Sequence, residues 1–287
     1  MDGCTVYQLA HQSHTQMMSF VVITDGGDLV VIDGGTRADA AFLLETMREV
    51  TGTTKPRVSA WFLTHPHLDH VDALFELYER HSGDFSVATI YHRFPDPEFI
   101  QSAEPKGVHT LLEYREAAKR FAFPEEILET GRIVSVGPME FKVLLACTDP
   151  IQVNAINNSS TVLRMECGDV SMVFLGDLGI EGGQRLLGTT GRQDMKADIV
   201  QLAHHGQNGV GFPVYEAISP SLALWCTPQW LWDNNQGDRG PGSGPWTVEE
   251  TKAWLRELKV ADQVVSKDGS FAISLKNRGY RITPYGK

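Results

Sequence analysis

Apolar and polar positions along the chain follow two patterns: short continuous apolar runs, and longer segments with apolar residues at helical spacing. In the first ninety residues, apolar runs at 19–24, 29–32 and 58–63 predict buried strands. Segments 38–50 and 71–81 repeat their apolar residues every three or four positions, which predicts helices. Strands that alternate with helices along the chain are typical of the α/β class.

The same alternation continues to the carboxyl end. Residues 92–128 contain Pro, Glu and aromatic residues and predict an insert with a helix at 108–121. No segment has the length and composition of a linker between independent domains, so we predict one domain over residues 1–287 with a helical insert around 92–128. The remaining predicted strands are 5–9, 87–91, 132–136, 140–146, 161–167, 171–175, 198–203, 221–225, 263–265 and 270–274, and the remaining helices are 181–187 and 247–259.

The composition narrows the classes of partner and location. The chain has 287 residues, of which 42% are hydrophobic, and a net charge of −11. A broad surface for duplex nucleic acid needs basic side chains and is not expected here. No apolar stretch approaches the roughly 20 residues that span a bilayer, and the amino terminus lacks the pattern of a leader. We expect a cytoplasmic protein that does not enter a membrane, and the oligomeric state stays open.

Four side chains that can bind metal lie within six residues, directly after the predicted strand at 58–63: His65, His67, Asp69 and His70. A loop this short cannot keep the four groups apart. Neutral imidazole suits Zn, Mn or Fe, and a carboxylate oxygen is a terminal or bridging ligand. The alternative is a solvated turn that is rich in histidine by chance. The spacing and the residue types favour a metal site at the edge of a sheet.

The pattern His-x-His-x-Asp-His resembles the signature of the metallo-β-lactamase superfamily. The resemblance implies a four-layer αββα sandwich, in which two mixed β-sheets pack face to face with helices outside. It also implies two divalent metal ions, Zn or Mn with Fe as an alternative. His65 and His67 would hold one ion, and Asp69 and His70 would hold the other. The partner implied by such a site is a small-molecule or phosphate-ester substrate.

The superfamily also needs an aspartate and a histidine from farther along the chain. Asp177 matches the later Gly-Asp motif, and its two carboxylate oxygens suit a bridge between two cations. His204 and His205 both follow the predicted strand at 198–203, and either is able to complete the ligands of the second metal. We favour His204, which leaves His205 with a role near the substrate or behind a ligand.

Further motifs narrow the resemblance to one branch of the superfamily. The segment that starts at Asn157, the Gly-Asp motif and the Ala-His-His-Gly motif are similar to those of the branch with ComEC-type DNA-uptake proteins and teichoic-acid phosphorylcholine esterases. Asp33 matches the early Asp-Gly motif, and we expect it to support the metal loop. One departure is that no histidine lies between His109 and His204, where many members have a ligand. Asn157 or Asn158 stands there, and an amide oxygen is a weaker ligand than imidazole.

Candidate substrate contacts lie in loops. Trp230, Trp232 and Trp246 fall in or beside a Gly-rich segment, where they either form a lid over the site or pack that segment onto the body. His14 is a further candidate, although a surface position is the simpler account of a loop histidine. Arg93, at the end of the predicted strand at 87–91, is a candidate cation for a phosphate.

These features predict a dinuclear metallohydrolase, because water activation by metal is the clearest catalytic apparatus in the sequence. Two cations lower the pKa of a bridging water and supply hydroxide as the nucleophile. Asp69 is a candidate acceptor for the water's proton, and His205 is a candidate for contact with the substrate. The branch resemblance favours a phosphodiester or a related phosphate ester. The alternatives are a lactone, thioester or amide hydrolase on the same site, and a metal-stabilised binding module without turnover.

Overall fold

The computed structural model of the protein describes residues 3–276 and 278–286. The strands within these residues are β1 (Cys4–Gln8), β2 (Ser19–Thr24), β3 (Leu29–Asp33), β4 (Arg57–Phe62), β5 (Ser86–Val87), β6 (Ile90–His92), β7 (Glu125–Ile127), β8 (Ile133–Val136), β9 (Met139–Leu145), β10 (Val162–Cys167), β11 (Val170–Phe174), β12 (Ile199–Gln201), β13 (Leu222–Trp225), β14 (Asp262–Val265), β15 (Ser270–Lys276) and β16 (Gly279–Tyr285). The helices are α1 (Ala40–Thr51), α2 (Leu68–His81), α3 (Pro97–Ala103), α4 (Val108–Phe121), α5 (Ile180–Thr189), α6 (Arg192–Met195), α7 (Phe212–Ile218), α8 (Gln229–Trp232) and α9 (Val248–Glu257). Short 3₁₀ turns lie at Arg37–Asp39, Asn157–Ser159, Ala203–Gly206, Gly237–Arg239 and Ser266–Asp268.

The strands form two mixed sheets. The nine-stranded sheet has the order β16-β15-β1-β2-β3-β4-β6-β7, with β5 beside β4. Its strands are antiparallel from β16 to β3 and parallel from β3 to β7. The seven-stranded sheet has the order β14-β13-β12-β11-β10-β9-β8, parallel from β14 to β11 and antiparallel from β11 to β8. The predicted fold class, two mixed sheets with flanking helices, is confirmed.

Three apolar clusters separate the four layers. Between the sheets, Phe20 packs against Phe174 with ring centroids 5.2 Å apart, and Phe62 packs against Phe141 at 4.7 Å. A second cluster joins the nine-stranded sheet to α1, α2 and α4, and a third joins the seven-stranded sheet to α5, α7 and α9. Both faces of the central strands are therefore buried, which explains why these strands are continuous apolar runs in the sequence.

Some element boundaries differ from the prediction. Helix α2 begins at Leu68 rather than at residue 71, so Asp69 and His70 lie in its first turn. A carboxylate in the first turn is favourable there because it faces the positive end of the helix dipole. The predicted strand at 87–91 divides into β5 and β6. The apolar pattern did not predict β16, an edge strand that contains Pro284 and has no buried residue.

The insert predicted around residues 92–128 contains α3, α4 and β7. Tyr114 of α4 packs near Phe75 of α2, with ring centroids 6.3 Å apart. A small apolar cluster that includes Ile100 and Leu111 reaches Ile156, and so connects the insert to the 3₁₀ turn at 157–159. Over residues 3–276 and 278–286, no helix combines the length and the apolar character needed to cross a bilayer.

Asp72 in α2 provides a test of this packing. Burial and the nearby Glu113 raise the pKa of Asp72 to about 7, and its Oδ1 has no hydrogen-bond partner within the described residues. The pKa in the unfolded chain is about 4, so the folded state loses stability as the pH rises from about 4 to about 7.

We expect Asp72→Asn, which keeps the shape without the charge, to raise the free energy of unfolding by about 1–2 kcal/mol at pH 8. The same change should have little effect at pH 4, where the Asp72 carboxyl is protonated in the folded protein and about half protonated in the unfolded chain. Urea denaturation at the two pH values measures the difference. A gain of equal size at both pH values would contradict ionisation as its cause.

Candidate metal centre

Loops from both sheets meet at one edge of the sandwich. Strands β11, β12 and β13 are parallel neighbours, so their carboxyl ends lie at the same edge of the seven-stranded sheet. Strand β4 of the other sheet leads into the loop at 64–67 at this edge, where the Thr161 backbone N–H donates to the Thr64 carbonyl at 2.9 Å. The fold therefore brings together loops that are far apart in the sequence.

Two groups of histidine and aspartate side chains lie at this edge. Within each group, every side chain offers a nitrogen or oxygen within 4.8 Å of the others. One group consists of Asp69, His70, Asp177 and His205, and the other of His65, His67 and Asp177. Asp177 belongs to both groups, so a single carboxylate connects them. We refer to the two as the Asp69 group and the His65 group.

Asp177 occupies the centre of this arrangement. Its Oδ2 lies 3.3 Å from His70 Nε2, 3.3 Å from His205 Nε2 and 3.8 Å from His65 Nε2. The side chain is almost fully buried, yet within the described residues neither carboxylate oxygen has a well-formed hydrogen bond, and the same is true of His70 Nε2 and His205 Nε2. Buried polar atoms normally have partners, and imidazole nitrogens with carboxylate oxygens are typical ligands of divalent transition metals. The residues therefore fit a metal centre.

Asp33 holds the metal loop from behind. It accepts hydrogen bonds from the backbone N–H and the hydroxyl of Thr64, at 2.8 and 2.7 Å, and its Oδ2 lies 2.7 Å from His70 Nδ1. These contacts leave His70 Nε2 directed at Asp177. Asp33 is fully buried and belongs to neither group. This is the supporting position expected for the early aspartate.

Side chains from neighbouring segments fix the loop that carries Asp177. The Gln201 amide oxygen accepts from the backbone N–H groups of Leu175 and Gly176, at 2.8 and 2.9 Å, and its amide nitrogen donates to the Gly176 carbonyl at 3.1 Å. Ser160 Oγ accepts from the Asp177 N–H at 3.0 Å. Gln201 was not predicted as a supporting residue, although a lone amide inside an apolar strand was an available signal.

The 3₁₀ turn at 203–206 has an unusual backbone. His204 and His205 both adopt the left-handed conformation, with φ values of 50° and 55°, which costs about 1–2 kcal/mol for each residue that is not glycine. Gly206 follows with φ of 81°, and a Cβ there would overlap the Trp225 ring. Strain of this kind persists only where the surrounding structure enforces it.

This turn gives its two histidines different surroundings. His205 Nδ1 lies 2.9 Å from the Cys226 carbonyl, so its Nε2 points inward, 3.2 Å from Asp69 Oδ2. His204 Nδ1 lies 3.2 Å from a backbone carbonyl at residue 208, and its Nε2 stops 4.0 Å from Asp177 Oδ2 at the more exposed side of the centre. The structure therefore places His205 within the Asp69 group, and not His204, the histidine predicted as the ligand.

Two asparagines stand where many members of the superfamily have a histidine, and their side chains face different ways. Asn157 Nδ2 lies 3.4 Å from His204 Nε2 and donates to Asn154 Oδ1 at 3.0 Å. Asn158 faces away from the centre, where its Oδ1 accepts from the Gly179 N–H at 3.0 Å at the start of α5. Asn157 is therefore the asparagine beside the centre, and Asn158 fixes the backbone.

The two groups differ in their affinity for protons. Burial lowers the pKa of His65 and of His67, so both imidazoles are neutral, which is the form that binds metal. Burial also opposes charge on His205, but Asp177 outweighs it and raises the pKa of His205 to about 9. The same balance raises the pKa of His70. A cation that binds to the Asp69 group must therefore displace protons.

Other residues indicated by the sequence lie outside both groups. Trp230 and Trp246 pack against each other with ring centroids 4.9 Å apart, and Trp230 Nε1 donates to the His14 carbonyl at 2.9 Å. Trp232 packs against the third apolar cluster. The guanidinium of Arg93 donates to a backbone carbonyl at residue 147 at 3.3 Å. The tryptophans therefore anchor the segment at 227–246.

The chain is similar to known proteins in sequence. Residues 17–262 match the family model of the metallo-beta-lactamase superfamily. Over 170 residues, or 57% of the chain, it is 30% identical to ComE operon protein 3 of Bacillus subtilis (strain 168). The match covers 21% of that protein, so the similarity extends over about a fifth of its length.

Solved structures share the fold. The metallo-beta-lactamase fold protein YhfI from Bacillus subtilis has a TM-score of 0.57 and 11% identity, over 95% of this chain and 99% of that one. A mutant of CmlA beta-hydroxylase has a TM-score of 0.54 and 14% identity, over 96% of this chain and 54% of that one. At these identities the likeness concerns the fold alone. Because the family model matches most of its length, the chain belongs to the metallo-beta-lactamase superfamily.

Proposed function

We propose that the protein is a metal-dependent hydrolase that cleaves a phosphodiester or a related phosphate ester at a dinuclear centre. His65, His67 and Asp177 would hold one divalent ion, and Asp69, His70 and His205 would hold the second together with the shared Asp177. The observation that carries the proposal is the position of Asp177 Oδ2, within 3.3–3.8 Å of imidazole nitrogens from both groups. Zn and Mn suit these ligands, and Fe is the alternative.

When bound, the ions activate a water molecule and offset negative charge on the oxygen of the scissile group. Other groups of the chain position the side chains that would bind these ions. Asp33 and the Cys226 carbonyl orient His70 and His205 through their Nδ1 atoms, as partners behind metal ligands commonly do. Burial opposes charge on Asp69, but the His205 imidazole 3.2 Å away, together with the charge on His70, outweighs it and lowers the pKa of Asp69. Asp69 is therefore ionised and suited to be a metal ligand, and the same lowered pKa makes it a weak acceptor for the proton of the water.

His204 has a separate role in this proposal. It lies on the more open side of the centre, where its Nε2 is 3.4 Å from Asn157 Nδ2 and 4.0 Å from Asp177 Oδ2. We assign His204 and Asn157 to contact with the substrate. This assignment exchanges the roles that the sequence suggested for the two neighbouring histidines.

The substrate class rests on the branch resemblance rather than on the fold. The motifs around Asn157 and Asp177 favour phosphate esters. The fold alone does not fix the reaction, since one protein of similar fold is named a hydroxylase. Lactones, thioesters and amides need the same activated water, so they are the competing substrates in any assay. Turnover of any of them separates a hydrolase from a metal-stabilised binding module.

Asp177→Ala tests the shared ligand. We expect hydrolysis of bis-p-nitrophenyl phosphate, measured with added Mn or Zn, to fall by at least about 100-fold in kcat/KM, because the loss of a partner behind a ligand already costs about 10- to 100-fold. Metal content by mass spectrometry should fall from two ions toward one or none. Asp169→Ala, which removes an exposed carboxylate of the β10–β11 turn, is the matched control and should change neither quantity. Full activity and metal content in the Asp177 variant would remove it from the centre.

Proton release tests the Asp69 group independently of turnover. Because Asp177 raises the pKa of His205 to about 9, this imidazole carries a proton at pH 7 that metal must displace. Apparent Zn affinity should therefore rise about tenfold per pH unit, between pH 6 and 8, for each proton displaced. Titration calorimetry in buffers of different ionisation enthalpy counts these protons, and His205→Gln should lower the count by about one. Metal binding with no proton release at pH 7 would contradict the assignment.

A further inference from the structure

A cavity of about 440 Å³ lies in the helical insert, where it is lined by α4 and by the strands β6 and β7. Its apolar wall contains Phe94, Leu111 and Ile127, and none of its lining residues belongs to the Asp69 group or the His65 group. Small-molecule sites usually have volumes of about 300–1,000 Å³ and combine apolar walls with a few polar groups. We refer to this cavity as the α4 pocket.

A hydrogen-bonded carboxylate forms part of the wall of the α4 pocket. Glu125 Oε1 accepts from the Tyr114 hydroxyl at 2.7 Å and lies 3.0 Å from His92 Nε2. The Phe94 backbone N–H donates to His92 Nδ1 at 3.3 Å, so Nε2 is the protonated nitrogen and donates to Glu125. This hydrogen bond from His92 holds the pKa of Glu125 below its usual value. Glu125 is therefore ionised, and within the described residues its Oε2 makes no hydrogen bond, which leaves one charged acceptor for a ligand.

Two cations line the same pocket. Arg115 and Lys119 are four residues apart on α4, so they lie on one face of the helix, where like charges repel each other. Both are exposed, and within the described residues neither forms a hydrogen bond or an ion pair. Two cations against the single carboxylate of Glu125 leave an excess of one positive charge in the pocket, although the whole chain has a net charge of −11. An anionic group beside Arg115 and Lys119 would offset their repulsion.

We infer that the α4 pocket binds a small organic anion that has a planar apolar body and one N–H or O–H donor. The anionic group would lie beside Arg115 and Lys119, and the donor would meet Glu125 Oε2. The planar body would lie against Phe94, whose ring is only partly buried, because aromatic rings favour stacked or edge-to-face contacts with a planar partner. Such a site is separate from the metal centre, so its occupation does not depend on the hydrolase activity proposed above.

Titration calorimetry of the metal-loaded full chain with indole-3-acetate tests the inference, because this probe combines a carboxylate, a planar ring system and one N–H. We expect saturable binding with a Kd below about 1 mM. The probe 1-methylindole-3-acetate lacks the N–H and should bind about tenfold more weakly, since it leaves Glu125 Oε2 without a donor. The probe 3-methylindole lacks the carboxylate and should bind about three- to thirtyfold more weakly, which corresponds to the loss of two exposed charge pairs.

The variant Arg115→Gln/Lys119→Gln removes both cations of the pocket. It should weaken the binding of indole-3-acetate by about three- to thirtyfold and leave the binding of 3-methylindole unchanged. The matched control is Lys106→Gln/Arg120→Gln, which removes two cations at the ends of α4 that do not line the pocket. This control should leave the affinity for all three probes unchanged.

Asp177→Ala distinguishes the α4 pocket from the metal centre, because a carboxylate also binds metal ions. Its affinity for indole-3-acetate should equal that of the unchanged protein. Loss of binding in Asp177→Ala but not in Arg115→Gln/Lys119→Gln would assign the probe to the metal ions and overturn the inference. Equal affinity for the three probes, or no saturable binding below about 1 mM, would overturn it as well. None of these measurements involves ester turnover, so the proposed function stands or falls separately.

Discussion

The burial of the Asp177 carboxylate is the constraint on which the rest of the centre depends. An ionised carboxylate removed from water costs several kcal/mol unless opposite charges and hydrogen bonds compensate it. Burial opposes charge on Asp177, yet His205 and His70 outweigh it and hold the pKa well below its usual range. Both histidines are in turn oriented by groups behind them. The buried Asp177 carboxylate is stable only with protonated histidines or cations beside it. The same requirement favours the binding of a metal ion.

The two-sheet architecture makes this possible, because no single segment of the chain holds the complete set of side chains. The segment after β4 supplies four of them, two from the loop at 64–67 and two from the first turn of α2, and belongs to the nine-stranded sheet, whereas Asp177 and His205 follow parallel strands of the seven-stranded sheet. The apolar cluster between the sheets, with pairs such as Phe20 and Phe174, fixes the distance between the side chains from one sheet and those from the other. Packing far from the centre therefore sets its geometry.

The features that depend on the local spacing of residue types could be predicted from the sequence. The features that depend on backbone conformation could not. The loop from His65 to His70 is compact enough for its residue types alone to predict a metal site. The choice between His204 and His205 depends on a left-handed turn, and no propensity assigns such a turn to two consecutive histidines. Gln201 was missed because its partners are backbone groups of another strand. Strand β16 was missed because an exposed edge strand with a proline has little of the apolar pattern that marks buried strands.

The contacts of Gln201 have a mechanical consequence for the centre. Its amide bonds three backbone groups of the loop before Asp177, while its own strand runs directly into the turn that carries His205. The shared Asp177 carboxylate and the His205 imidazole are thus attached to a common support rather than to two independent loops. A displacement of β12 would carry both along together and preserve their separation, so the spacing between the Asp177 carboxylate and the His205 imidazole is protected from the small motions of the sheet.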